Sequence, residues 1–167
     1  MTVQTQDTGK AVSSVIAQSW HRCSKFMQRE TWQTPHQAQG LTFDSICRRK
    51  TALLTIGQAA LEDAWEFMDG RPCALFILDE SACILSRCGE PQTLAQLAAL
   101  GFRDGSYCAE SIIGTCALSL AAMQGQPINT AGDRHFKQAL QPWSFCSTPV
   151  FDNHGRLCGS ISLCRSE

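Results

Sequence analysis

Residues 143–164, Trp-Ser-Phe-Cys-Ser-Thr-Pro-Val-Phe-Asp-Asn-His-Gly-Arg-Leu-Cys-Gly-Ser-Ile-Ser-Leu-Cys, carry the clearest fold signal in this chain. Trp143 to Phe151 is rich in aromatic and β-branched residues and predicts a strand. Residues 152–155 predict a tight turn, because their glycine accepts a positive φ at no steric cost. From Arg156 to Cys164, apolar residues and glycine alternate with serine and cysteine, which is the two-residue period of a strand. This stretch therefore predicts an antiparallel hairpin.

A second hairpin is predicted closer to the middle of the chain. Residues 73–78, Cys-Ala-Leu-Phe-Ile-Leu, form a continuous apolar run, and residues 82–86 form another. The polar residues 79–81 between them favour a short turn. The elements expected between the two hairpins are a short helix from Pro91 to Gly101, a helix from Ser111 to Gln124 that Gly125 ends, and an edge strand at residues 127–129.

Two long amphipathic helices are predicted in front of the sheet. The first, from about Thr8 to Gln28, has apolar residues every three or four positions. Residues 29–41 predict a loop. The second, from about Phe43 to Met68, is expected to be capped by one of two polar residues and to end at a glycine and a proline. The apolar stripe of the first helix is Val12, Ile16, Trp20, Cys23 and Met27; the capping candidates of the second are Thr42 and Asp44, and its end signals are Gly70 and Pro72.

The order helix, helix, hairpin, helices, hairpin indicates an α+β fold in which helices flank one antiparallel sheet. We expect a helical segment over residues 1–70 and the sheet-containing core over residues 71–167. The second helix would be about 39 Å long, which is longer than one small sheet needs. Part of its apolar stripe is therefore expected to pack against a second copy, giving a homodimer through the N-terminal helices.

Composition excludes several function classes. The 167 residues have a formal net charge of −1, whereas a domain that grips DNA needs a clustered basic surplus. A phosphate-binding Gly-x-x-x-x-Gly-Lys-Ser/Thr loop and a basic recognition helix are both absent from the sequence. Because the sequence shows neither a secretory signal nor an apolar run long enough for a membrane span, we expect a cytoplasmic protein.

The ten cysteines contain no Cys-x-x-Cys pair and so lack the spacing of a structural zinc site. We expect all ten to be reduced, without disulfides and as small apolar core residues, with no metal and no cofactor. His135 has no second ligand nearby in sequence and is expected to be a packed or surface residue. Glu110 is expected to cap the helix that follows it, since acidic residues favour helix N-termini.

Five short motifs occur in an order that resembles the GAF domains of activators that work with the sigma factor sigma-54. Residues 19–23, Ser-Trp-His-Arg-Cys, are similar to a Ser-Trp-x-Arg-Cys motif in their first helix. Residues 110–117, Glu-Ser-Ile-Ile-Gly-Thr-Cys-Ala, resemble their Glu-x-x-x-Gly-Thr-Asn-Ala motif. The other three are His135-Phe136, Trp143, and residues 149–159 with Pro-Val-Phe-Asp and Gly-Arg-Leu-x-Gly. The resemblance covers nearly the whole chain and implies a GAF-like antiparallel sheet flanked by helices, with long N-terminal helices.

Cys116 stands where this broad family usually carries asparagine. Together with residues 29–32, residues 35–40 and Phe145-Cys146, it resembles the branch that regulates dihydroxyacetone kinase operons. Such regulators combine a GAF domain, a PAS-like domain, an AAA+ ATPase and a helix-turn-helix. The resemblance implies a sensor domain that is not an enzyme and that controls glycerol and dihydroxyacetone metabolism through contact with dihydroxyacetone kinase subunits. One subunit antagonises such regulators and the other, with ADP bound, activates them.

We therefore expect the chain to be the front part of a longer regulator, in which other domains bind DNA and ATP. The helix that usually ends a GAF domain is missing from the sequence, which supports this expectation.

Seven side chains are candidates for lining a ligand pocket under the sheet. This lining is poor in polar groups, so we expect it not to bind dihydroxyacetone, whose hydroxyls would be left unpaired. The candidates are Leu75, Ile77, Ile84, Cys116, Trp143, Phe145 and Cys146.

Two other functions stay open at this point. A free methionine-(R)-sulfoxide reductase would use cysteines such as Cys83, Cys88 and Cys116. In the Val-Cys-Gly-Thr motif of that family the cysteine precedes Gly-Thr, whereas Cys116 follows Gly-Thr. A small-ligand or non-haem iron sensor is the second alternative, for which no spacing selects the ligands.

Overall fold

The computed structural model describes residues 4–68 and 71–167, which form a mixed α+β fold with one antiparallel sheet. The sheet has the strand order β2-β1-β5-β4-β3. Its strands are β1 (Cys73–Asp79), β2 (Ile84–Gly89), β3 (Ile128–Ala131), β4 (Trp143–Phe151) and β5 (Leu157–Ser166). The helices are α1 (Gln4–Cys23), α2 (Gly40–Arg49), α3 (Thr51–Phe67), α4 (Pro91–Ala99), α5 (Glu110–Ile113) and α6 (Ala117–Gln124). The predicted fold class is confirmed.

Both predicted hairpins are present. β4 and β5 pair from Trp143 opposite Ser166 to Phe151 opposite Leu157. β1 pairs with β2 on one side and with β5 on the other, and all its residues are buried. Successive β1 side chains lie in hydrophobic clusters on opposite faces of the sheet, and a strand that is buried on both faces has a continuous apolar sequence. The predicted edge strand near residue 128 is β3, which pairs with β4 at one end of the sheet.

The two faces of the sheet are covered by different helices, which gives two hydrophobic clusters. Phe76 and Leu78 point to the face that α4 and α6 cover, and Leu75 and Ile77 point to the face that α2 and α3 cover. Gly57 lets α3 lie close to β1, since a Cβ at this position would be 2.9 Å from Ile77 Cδ1. No helix in the described residues is long and apolar enough to span a lipid bilayer.

The prediction of one long helix from Phe43 to Met68 was wrong. The chain leaves helical geometry at Lys50, with φ −108° and ψ 19°, so that α2 and α3 are separate. Lys50 forms an ion pair with Glu80 and also donates to the Cys158 carbonyl at 3.4 Å. These tertiary contacts fix the break, and a continuous amphipathic pattern does not encode them.

The expected caps and ends of that helix also need correction. Thr42 and Asp44 lie inside α2, whose N-cap residue is Gln39 and has no side-chain capping bond. Gly70, which we expected to end the helix, lies outside the described residues, while Pro72 follows it just before β1.

The first helix begins at Gln4 and ends at Cys23, so Met27 is not part of it. The predicted helix from Ser111 to Gln124 is also divided, because Gly114 adopts φ 75° and ψ −159° between α5 and α6. Its Cβ, if it had one, would lie 3.3 Å from Phe136 Cβ. The glycine therefore allows both an unusual backbone turn and a close approach of the segment near Phe136.

Candidate functional site

α1 carries one polar residue within its buried stripe. Ser19 lies between Ile16 and Cys23 at helical spacing and is fully buried. A buried hydroxyl needs hydrogen-bond partners, because an unsatisfied one costs free energy. Ser19 has two such partners, one in α5 and one just after it: its Oγ donates to Glu110 Oε1 and lies 2.7 Å from Thr115 Oγ1.

Arg22, one helical turn further along, binds the same carboxylate with two nitrogens. Its Nη2 lies 2.9 Å from Glu110 Oε1 and its Nε lies 3.1 Å from Oε2. Paired N–H donors on both carboxylate oxygens give a strong and directional contact. The prediction that Glu110 caps the following helix was wrong, since the N-cap residue of α5 is Ala109 and Glu110 binds α1 instead.

Cys23 completes this cluster of five residues, which we call the α1 junction: Ser19, Arg22, Cys23, Glu110 and Thr115. The Cys23 Sγ lies 3.7 Å from Thr115 Oγ1 and 3.9 Å from Glu110 Oε1. Burial raises the pKa of the Cys23 thiol, and the charge of Glu110 raises it further. Cys23 is therefore a neutral packing group and a weak donor at this junction.

A second set of contacts joins the end of α1 to the segment that precedes β4. Trp20 Nε1–H donates to the Arg134 carbonyl at 2.9 Å, and the Trp20 ring meets Phe136 edge-on at 5.3 Å between centroids. The Arg29 guanidinium lies over the Trp20 ring, 4.6 Å from its centre, and donates to the Phe136 carbonyl. α1 is thus held both by an ion pair and by aromatic contacts.

His135 is packed in the interior beside these contacts. It is fully buried, and neither of its ring nitrogens has a hydrogen-bond partner in the described residues. Its ring meets Phe145 edge-on at 5.5 Å. Burial lowers the pKa of His135 to about 4, so the imidazole is neutral near pH 7.

The seven candidate pocket residues do not line one cavity. Leu75 and Ile77 belong to the cluster under α2 and α3. On the opposite face of the sheet are Ile84, Cys116, Trp143 and Phe145, and Cys146 is exposed. Whether any of these side chains contacts a ligand stays a prediction.

The cysteines considered for reductase chemistry lack the properties of a nucleophile. Burial raises the pKa of Cys83 and of Cys116 to about 12, and it raises that of Cys88 as well. A reactive thiolate needs a low pKa and access to solvent. Among the described residues, no three His, Cys, Asp or Glu side chains come together as a metal site would require.

The α1 junction was not predicted from the sequence, although the two motifs that form it, residues 19–23 and 110–117, are conspicuous there. The available signal was Ser19, a polar residue in an apolar helical stripe, which implies a polar partner elsewhere. The partner could not be found from the sequence, because Ser19 and Glu110 are 91 positions apart.

Comparison with known proteins matches residues 52–167 to the GAF domain family. The chain is 87% identical over 164 residues to the glycerol metabolism operon regulatory protein of Citrobacter freundii, covering 98% of this chain and 26% of that protein. It is 68% identical over 155 residues to the PTS-dependent dihydroxyacetone kinase operon regulatory protein of Escherichia coli, covering 93% and 24%. The chain thus spans about a quarter of the length of these relatives.

One solved structure has the same fold at high similarity. The crystal structure of the E. coli DhaR(N)-DhaL complex contains a chain that is 68% identical to this one and superimposes with a TM-score of 0.89. The match covers 91% of this chain and 52% of that chain.

Proposed function

This chain belongs to the GAF domain family, and from that premise we propose that it is the sensor domain of a transcription activator of glycerol and dihydroxyacetone metabolism. In this proposal it acts through contact with subunits of dihydroxyacetone kinase. It has no catalytic role of its own, it works in the cytoplasm, and DNA and ATP are bound by other parts of the regulator.

One observation carries the proposal. The E. coli relative with 68% identity was crystallised as a DhaR(N)-DhaL complex, and this chain matches it with a TM-score of 0.89. Interface backbones in most complexes change little between free and bound states, so a close relative of that fold is able to present the same surface. We take DhaL to be a subunit of the kinase for which the E. coli regulator is named.

The relatives and the cysteines support a regulatory role over an enzymatic one. Both relatives are named as operon regulatory proteins, and two cysteines considered for catalysis, Cys83 and Cys116, are buried thiols of raised pKa. Contact with a partner protein needs only an exposed patch, whereas sulfoxide reduction needs a reachable thiolate.

The exposed residue Phe26 supports a partner contact near the end of α1. Phe26 lies three residues after the end of α1, and 61% of its surface is exposed. Large aromatic side chains are common energetic anchors in protein interfaces. A partner bound here would also sense whether α1 is docked, since the α1 junction lies within one helical turn.

A homodimer through α3 is also part of the proposal. Ile56 and Phe67 are 74% and 87% exposed, and their separation of eleven positions places them on the same side of the helix. A cavity of about 350 Å³ continues this stripe between Ile56, Ala60 and Phe151. Its walls are mainly apolar, which fits the side chains of a second α3.

Titration calorimetry tests the proposal directly. We expect saturable heat when DhaL is added to the purified chain, and no heat from dihydroxyacetone or glycerol. Phe26→Ser is expected to weaken the contact, and Leu41→Ser, which removes another exposed apolar side chain on α2, is the matched control. Saturable heat from dihydroxyacetone or glycerol, with none from either kinase subunit, would reverse the assignment.

A further inference from the structure

Lys137 is a buried ammonium group that forms no ion pair in the described residues. Burial lowers the pKa of this group, and the charge of Glu30, whose carboxylate lies beyond 4 Å, acts in the opposite direction. Only 4% of the Lys137 surface is exposed. Its Nζ donates to the Gln28 carbonyl at 2.7 Å and to the Thr31 carbonyl at 2.8 Å, while no carboxylate oxygen of the described residues lies within 4 Å. A buried charge is costly without an opposite charge, and an ammonium has three donors, of which two are used here. Lys137 therefore has one N–H and a net positive charge to offer to a further group.

A polar cavity of about 300 Å³ lies directly beside this ammonium. Its walls come from the segment after α1, from α5 and from Lys137 itself. Besides Lys137, the polar side chains in the walls are two amides, Gln28 and Gln33, and two hydroxyls, Thr31 and Ser111. A volume of this size is at the small end of ligand pockets.

We propose that this cavity is a binding site for a small oxyanion, either the carboxylate or the phosphate group of a small hydroxylated molecule. The Lys137 ammonium supplies the opposite charge and a donor, which is the strongest single interaction for such a group. The Gln33 amide and the Ser111 hydroxyl supply neutral hydrogen bonds to oxygens that surround the charge. A neutral triose would bring no opposite charge to the ammonium, so the site favours anions over dihydroxyacetone.

An occupied site would also act on the position of α1. Its ligand would touch the segment that leaves α1 and would touch α5 at Ser111, next to Glu110, which holds Arg22. Binding here would add to the free energy that keeps α1 docked, because a ligand stabilises the state that it binds. Phe26, which the proposed kinase contact uses, also lines this cavity, but the inference rests on Lys137 and the polar walls and does not require a protein partner.

Amide NMR of the ¹⁵N-labelled chain tests the site with sodium acetate and sodium phosphate, each compared with sodium chloride at equal ionic strength. We expect saturable shifts at millimolar concentration from acetate or phosphate, centred on Ser111 and Ile112, and none from chloride. Acetate and phosphate together distinguish the two sources of the oxyanion. Shifts that never saturate, or that chloride reproduces, would overturn the proposal.

A double variant separates binding from folding. Ser111 and Gln33 are both exposed, so Ser111→Ala with Gln33→Ala should leave the fold intact and weaken the anion about tenfold, as the loss of hydrogen bonds to a charged group predicts. The matched control is Ser13→Ala with Gln58→Ala, a change of the same residue types on exposed positions of α1 and α3. Equal affinity in the two double variants would refute the site, and so would unchanged affinity in a folded Lys137→Met variant.

Discussion

Arg22→Met is the sharpest test of how α1 is held. The change removes the cation but keeps a long apolar stem, so Glu110 stays buried with Ser19 as its main remaining donor. Breaking a fully buried ion pair costs about 3–5 kcal/mol. The Arg22 side chain is 38% exposed, and water can replace part of its contact, so we expect a loss of about 2 kcal/mol.

Urea unfolding and thermal melting measure this loss. For a domain of this size, about 2 kcal/mol corresponds to a melting temperature lowered by about 4–8 °C. Arg48→Met is the matched control, since Arg48 is exposed on α2 and its side chain has no hydrogen bond or ion pair to any of the described residues. This change should alter stability by less than about 0.5 kcal/mol. Trypsin should also cleave near Lys25 faster in the Arg22 variant, because an undocked α1 exposes its backbone.

A double-mutant cycle with Glu110→Gln tests whether the ion pair between Arg22 and Glu110 holds α1. Glutamine keeps the acceptor for Ser19 but removes the buried charge, so Arg22→Met should cost less in that background. We expect the double variant to lose about 1–2 kcal/mol less stability than the two single variants lose in sum. Additive losses would show that the ion pair does not hold α1, and the reasoning about this junction would then be refuted.

Three further predictions follow from burial and exposure. His135 has a pKa of about 4 in the folded state and near 6.5 in the unfolded state, so the unfolded chain takes up a proton first as pH falls. The domain should therefore lose up to about 3 kcal/mol of stability between pH 6.5 and pH 4. In His135→Leu, the urea concentration at the unfolding midpoint should depend less on pH over this range. A thiol reagent should label Cys146 first in the native protein and all ten cysteines after denaturation, so rapid native labelling of Cys116 would contradict the structure. Ile56→Glu should convert the proposed dimer to a monomer, as measured by size-exclusion chromatography with light scattering. Gln58→Glu, on another side of α3, should leave the dimer intact. A wild-type protein that is monomeric at all concentrations would disprove the dimer.

The sheet was predictable because its signals are local. Alternation from residue 157 to residue 163, the turn at Gly155 and the apolar run of β1 each lie within one short stretch of sequence. Strand pairs joined by short turns then follow from chain geometry alone. The same locality explains why β4 and β5 were found nearly to their ends.

The helix breaks were not predictable, because distant residues decide them. At Lys50 the amphipathic pattern continues without interruption, and only the partners Glu80 and Cys158 show why the backbone changes direction there. Gly114 did indicate a possible helix end, since a glycine inside a helix is unfavourable, but the turn there also depends on the neighbouring Phe136. The partner of Glu110 was hidden for the same reason: a carboxylate before a helix suggests a cap, and only the fold brings Arg22 to it.

The three motifs that include Ser19, Glu110 and Phe136 are separate in sequence, but they meet around α1 in the structure. A contact worth about 2 kcal/mol changes the ratio of docked to undocked helix by about 30-fold, since each 1.4 kcal/mol is tenfold. A partner can shift that ratio only by the factor with which it prefers one of the two states. For a partner near Phe26 to undo the junction, its affinity for the undocked form must therefore be at least about 30-fold higher, whereas a modest preference for the docked form is enough to hold it. Binding of the same partner to the wild type and to Arg22→Met measures that preference, because the variant changes the helix equilibrium without changing Phe26.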